Sequence, residues 1–358
     1  MTAPPPVRLD REWKVGRPLV GCRFDPAGRF LFASSEDSTV RRLDLLTGAT
    51  AAFAGQTSWV RGMAFVMGPA ASERTGVGLH ALAGAAAAAL APPARPFTVV
   101  SGDYHGNLVW WPGDAPKPKP VRTVAAHDGW VRAVAVSPDG TTVASCGNDR
   151  LVKLWAAADG ARVRTLAGHD AHVYNLAFHP AGRRLASCDL KGVVKEWDLA
   201  TGAWVRDLDA KVLHKYDPVF RADIGGARGM AFDPAGGRLA CCGITNVSNA
   251  FAGVGNPLVA VFDWPAGKPK LLRPKDAFQG TAWGVAFLAG GAVVAAGGGG
   301  GGRVWVWPGG DPASNHTVTV PANARDLAAH PASDRFAVAG ANGTAYIYSF
   351  TPAPAAKS

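Results

Sequence analysis

His127-Asp128-Gly129-Trp130-Val131 opens a stretch that is repeated almost at once, beginning with Gly168-His169 and His172-Val173. Ser137-Pro138-Asp139-Gly140 answers to His179-Pro180-Ala181-Gly182, and Val152-Lys153-Leu154-Trp155 to Val194-Lys195-Glu196-Trp197-Asp198. His127 and His169, Pro138 and Pro180, and Trp155 and Trp197 are each 42 residues apart. Short alternating strands and tight turns on a period of this length are the signature of a propeller blade.

Gly168-His169, Trp197-Asp198 and the turn before Leu185-Ala186-Ser187 resemble the WD-repeat β-propeller family. That resemblance implies a relay in each blade from Trp to Asp to His to Ser or Thr. The first copy matches it with Trp155, Asp149, His127 and Ser145. The second keeps Trp197, His169 and Ser187 but places Lys191 at the Asp position, so its blade is expected to be looser. Fold says little of function, which sits in sites carried on folds.

The repeat extends in both directions to an all-β, seven-bladed propeller over residues 1–358, in blades of about 15–53, 54–123, 124–165, 166–210, 222–273, 276–320 and 321–350. Blade one has Leu43 at the Trp position and Val15 at the His position. Blade two opens at Gln56, parallel to His127, with His105 at the Asp position and Trp111 as its anchor. Blade five has Phe262 and blade seven Tyr348 at the anchor. The last blade ends at Phe350 without a fourth strand, while residues 7–13 precede the first without a home. Pairing the two closes the ring and removes an open edge.

Three segments depart from the repeat. Residues 67–96 form an Ala-rich insertion, read as a short helix or loop on the rim; a span needs about 20 strongly apolar residues, and this one carries His80 and prolines. Residues 209–223, basic and aromatic, read either as a longer outer strand plus loop or as a partner-contacting loop. The run Gly297 to Gly302 lacks the Lys-Ser/Thr of a phosphate loop and leads into a strand, so it reads as a flexible turn.

Composition suits this architecture: 44 Gly and 27 Pro serve hairpin turns, and 12 Trp serve as anchors. Five cysteines scattered through strands point to a reducing compartment, and the first residues carry no signal region, so the cytoplasm is the expected location. Adjacent Cys241 and Cys242 face opposite sides of a strand. His169, His172, His179 and Cys188 do not converge as zinc ligands. No metal or cofactor is expected.

Aligning the inner strands gives a sharper signal. Five residues after each His position stand Val20, Arg61, Arg132, Tyr174, Arg228, Trp283 and Arg325. Two positions earlier come Trp59, Trp130 and His172. The family resemblance implies that these lie near the central opening. Arginine with exposed aromatics suits a carboxylate or phosphate with a stacking component, which points to a non-catalytic scaffold for an acidic or phosphorylated peptide. A rival for the arginines is pairing with Asp128 and Asp170. The net charge of +10 makes salt-sensitive nucleic-acid binding an alternative, though its densest groups, Lys117, Lys119 and Arg122, then Lys268, Lys270, Arg273 and Lys275, sit in rim segments. An enzyme using the central cavity is the third reading.

Overall fold

The computed structural model describes residues 7–68, 96–249 and 254–350. The first strand, β1 (Val7–Lys14), belongs to the last blade. Blade one is β2 (Leu19–Phe24), β3 (Phe30–Ser35), β4 (Val40–Asp44) and β5 (Thr50–Phe53); blade two is β6 (Val60–Met67), β7 (Phe97–Asp103), β8 (Asn107–Pro112) and β9 (Arg122–Ala125). Blade three is β10 (Val131–Val136), β11 (Thr142–Gly147), β12 (Val152–Ala156) and β13 (Arg162–Leu166); blade four is β14 (Val173–Phe178), β15 (Arg184–Asp189), β16 (Val193–Asp198) and β17 (Trp204–Asp209). A separate hairpin follows, β18 (His214–Asp217) and β19 (Ala222–Gly225).

Blade five is β20 (Gly229–Phe232), β21 (Arg238–Asn249), β22 (Val254–Asp263) and β23 (Pro269–Leu272); blade six is β24 (Gly280–Phe287), β25 (Val293–Gly299), β26 (Gly301–Trp307) and β27 (His316–Val320). Blade seven is β28 (Ala324–Ala329), β29 (Arg335–Gly340) and β30 (Thr344–Phe350), with β1 as its outer strand. The seven blades are therefore four-stranded antiparallel sheets, and the N-terminal strand closes the ring, pairing from Val7↔Phe350 to Lys14↔Thr344.

Strand alternation packs the blades against one another. Within blade three, Val143 and Trp155 join a core shared with blade two, whereas Ala144, Cys146, Val152 and Leu154 join the core toward blade four. Cys241 and Cys242 divide in the same way, one packing toward blade four and the other toward blade six. All five cysteines are buried free thiols. Inner strands crowd at the axis, and glycine permits the approach: a Cβ on Gly284 would lie 2.3 Å from the backbone nitrogen of Leu327, and one on Gly62 2.8 Å from that of Val134.

Two connections differ from the sequence reading. Residues 209–223 do not prolong the outer strand of blade four. They form a 3₁₀ turn, Lys211–Leu213, and the β18–β19 hairpin, whose Lys215 ammonium donates to the Val247 carbonyl on the lengthened β21. The glycine run of blade six is no flexible turn either. Its ladder continues through Gly297↔Arg303 and Gly298↔Gly302 to Gly299↔Gly301, and Asn323 Oδ1 accepts from the amides of Gly299 and Gly301. A Cβ on Gly302 would lie 1.9 Å from the Ala322 carbonyl, so close neighbours rather than mobility explain the glycine there. The Ala-rich insertion lies, apart from its ends, outside the described residues; Gly68 N donates to Pro96 O at its base, 2.8 Å away. No helix among the described residues is long and apolar enough to cross a membrane.

Candidate functional site at the central opening

Relays hold the blades that frame the opening. In blade three, Trp155 Nε1 donates to Ser145 Oγ (2.9 Å), Ser145 contacts His127 Nε2 (2.7 Å), and His127 Nδ1 contacts Asp149 Oδ1 (2.8 Å). Burial lowers the pKa of His127, although Asp149 pulls the other way. Asp149, despite a desolvation penalty, is held well below the usual carboxylate range by hydrogen bonds from His127 and Lys153.

Blade four corrects the sequence reading of Lys191. The carboxylate comes instead from Asp189, two residues earlier, whose Oδ2 lies 2.9 Å from His169 Nδ1. With Trp197 Nε1 to Ser187 Oγ at 2.8 Å and Ser187 to His169 Nε2 at 2.7 Å, this relay is also complete, and the expected looseness has no basis in the contacts. Blade two uses a third solution: Gln56 Nε2 takes the His role toward Ser101 Oγ (2.9 Å), which also accepts from Trp111 Nε1 (2.8 Å). His105 does not stand in for the Asp; its ring meets Thr57 Oγ1 at 2.9 Å.

The aligned inner positions share a backbone device. In six blades the ladder between first and second strand shifts register at one residue, and that residue is Val20, Arg61, Arg132, Tyr174, Trp283 or Arg325. In blade five Arg228 directly precedes β20, its amide donating to Cys242 O at 2.7 Å. A bulge leaves its extra residue outside the ladder and re-aims its side chain. Six of these seven, Val20 excepted, are large arginine or aromatic side chains.

They build an arc of alternating rings and guanidinium groups. Trp59 lies 6.1 Å from Tyr104, and Tyr104 stacks on Trp130 at 4.0 Å with planes 4° apart. Arg132 sits between Trp130 (4.3 Å) and Tyr174 (4.4 Å). Arg228 sits between Tyr174 (4.7 Å) and Trp283 (5.2 Å), and Arg61 lies 5.9 Å from Trp283. The arc thus leaves blade two at Trp59 and returns to it at Arg61. Tyr104, from the turn between β7 and β8, is the member that inner-strand alignment missed; a stacked ring between Trp59 and Trp130 carries no spacing signal.

The charges are only partly compensated. Arg61 Nη1 donates to the carbonyls of Val20 (2.7 Å) and Arg325 (3.1 Å), tying blades two, one and seven. Arg132 gives its Nε to Asn148 Oδ1 at 2.8 Å. Arg228 has a buried Nε without a partner. Burial lowers its pKa; Tyr174, which also hydrogen-bonds the guanidinium, pulls the other way, and neighbouring Arg132 and Arg61 act with burial. Pairing with Asp128 or Asp170 is absent from the ion pairs among the described residues; only Arg325 of this group has a carboxylate, Glu36. His172 stands at the outer edge of the arc, exposed, with a pKa lowered by partial burial and by Arg132 and Arg150.

A cavity of about 440 Å³ opens beside the arc, walled by Trp59, Tyr104, Trp283, Arg61, Arg325 and Glu36. The dense basic groups noted in the sequence lie elsewhere, around the outer strands β9 and β23 of two blades that are not adjacent.

A family model described as "WD domain, G-beta repeat" matches residues 16–42, 118–156 and 160–198. Among curated proteins, the chain is 51% identical over 41 residues to "Small ribosomal subunit protein RACK1" of Glycine max, 12% of this chain and 13% of the relative, and equally to its Medicago sativa counterpart. It is 29% identical over 136 residues to "Nuclear distribution protein PAC1" of Coccidioides posadasii (strain C735), 36% of this chain and 26% of that protein. The chain therefore spans about an eighth to a quarter of the length of these relatives. The chain is thus a seven-bladed β-propeller of four-stranded blades closed into one ring, carrying WD repeats in three matched stretches.

Proposed function

We propose that this propeller is a non-catalytic protein-interaction scaffold that binds an acidic or phosphorylated peptide segment across its central opening. The observation that carries the reading is the stack of Arg132 and Arg228 between Trp130, Tyr174 and Trp283, with no carboxylate paired to either guanidinium among the described residues. Guanidinium groups held between rings keep N–H donors for an oxyanion and lose little side-chain freedom when one binds. Aromatic and arginine anchors of this kind dominate interface energetics. Similarity to other WD-repeat proteins supports the scaffold class.

The test is fluorescence anisotropy with labelled peptides rich in Asp and Glu, unphosphorylated or phosphorylated, against a neutral peptide of equal length. Arg132→Ala removes hydrogen bonds to a charged partner, each worth about 1.5–3 kcal/mol, so acidic-peptide affinity falls roughly ten- to hundredfold. Equal affinity for the neutral and acidic peptides would refute the reading.

A further inference from the structure

Arg61, Arg132 and Arg228 converge from blades two, three and five on a single small pocket. Its other walls are Tyr104, Tyr174, Trp283 and Ala227, and its volume is about 70 Å³. One water-sized group needs roughly 10–15 Å³ of such space, so it takes about five, the heavy-atom count of a tetrahedral oxyanion. A second cavity, of about 510 Å³, reaches the same three arginines from the opposite face of the ring, past Pro138, Pro180 and Pro234 in the turns of blades three, four and five. The pocket is thus the waist of the central channel.

Three like charges meet there, and among the described residues no carboxylate is paired with any of them. Arg61 gives its Nη1 to two backbone carbonyls, and Arg132 gives its Nε to an amide oxygen. The buried Nε of Arg228 goes unused. Neutral partners satisfy hydrogen-bonding demand but not charge, and a single carboxylate would balance only one of the three. A doubly charged tetrahedral group fits the space and balances two of the three charges, and guanidinium forks match its oxygens.

We infer that the waist is a phosphate subsite, in which Arg61, Arg132 and Arg228 surround one phosphoryl group while Tyr104, Tyr174 and Trp283 exclude water around it. The inference rests on the binding reading above and sharpens it, since it names a phosphate rather than a carboxylate as the group that reaches the axis. The phosphoryl group is either free inorganic phosphate or one borne by a phosphorylated side chain of the docked segment.

The full chain is titrated with inorganic phosphate and with sulfate by calorimetry, at ionic strength held constant with chloride, and its unfolding temperature is followed in parallel. Phosphate and sulfate raise the unfolding temperature beyond chloride, because a ligand of the folded state shifts the equilibrium. Arg228→Gln and Arg132→Gln each weaken phosphate binding at least tenfold; should Arg228→Gln fail to fold, the partly exposed Arg132→Gln carries the comparison. A phosphopeptide that displaces phosphate and binds more tightly than its unphosphorylated form assigns the group to the peptide. Displacement without such a gain assigns the pocket to the free ion. Phosphate and sulfate no better than chloride overturns the inference, and persistent capture of Asp- and Glu-rich peptides would then leave the scaffold reading standing.

Discussion

Arg132 shows how one side chain serves both frame and site. Its Nε is fixed by Asn148 and its guanidinium carbon lies between the Trp130 and Tyr174 rings, which leaves its Nη groups to meet a ligand. His172 stands within its field, and that repulsion adds to desolvation in lowering the His172 pKa. A bound carboxylate relieves the repulsion and raises the pKa, so binding takes up a proton below the unperturbed value of 6.5. Affinity for an Asp- and Glu-rich peptide should therefore rise as pH falls from 7 toward about 5.5, where carboxylates remain ionised. His172→Gln should flatten that slope in the same anisotropy assay. Arg132 and Arg228 were legible in the sequence because a fixed offset from the His position finds the bulge in six blades and, in blade five, the residue directly before β20. Tyr104 was not, because its place in the stack depends on a turn conformation. Asp189 was hidden for a related reason: its carboxylate reaches His169 from two positions before the aligned residue, and side-chain reach does not obey register.

Among the elements, the relays convert a repeated pattern into rigidity. Ser187→Ala leaves Trp197 Nε1 and His169 Nε2 buried without partners, each costing about 1–3 kcal/mol. Chemical denaturation should show a loss of that order, similar to the loss from Ser145→Ala, because both relays are complete. The pH dependence has a defined sign. His127 has a folded pKa below its ordinary 6.5, so its contribution is present above that value and is lost as pH falls toward the folded pKa. Asp149 is likewise depressed below 3.8, so its contribution disappears only under stronger acid. His127→Gln should remove the first acid-induced loss of stability and, because His127 helps hold the Asp149 carboxyl down, move the second toward higher pH. Blade six has no such relay. Trp307 holds the anchor register opposite Val293, Ala295 stands two residues along β25, and the indole Nε1 has no partner. That difference was readable from the missing hydroxyl. The β18–β19 hairpin was not readable, since basic and aromatic residues fit an outer strand, a loop and a hairpin equally well.

For the whole molecule, closure decides stability and geometry together. The 42-residue period and the orphaned N-terminal stretch made the seven-bladed ring legible before any coordinates, because each blade can bury its faces only against neighbours. Deleting residues 1–14 removes the outer strand of blade seven and exposes the edge of β30, from Thr344 to Phe350, to other chains. Thermal unfolding should shift to lower temperature, and sedimentation should show association beyond that of the intact chain. Ring closure also sets the central opening, since Arg61 of blade two is tied to carbonyls of blades one and seven. The most direct test of the account is hydrogen–deuterium exchange of the full chain with and without an acidic or phosphorylated peptide. Protection is predicted in the starts of β6, β10, β14, β20 and β24 and in the turn at Tyr104. Protection confined to the outer strands β9 and β23, where Arg122, Lys270 and their neighbours lie, would contradict it.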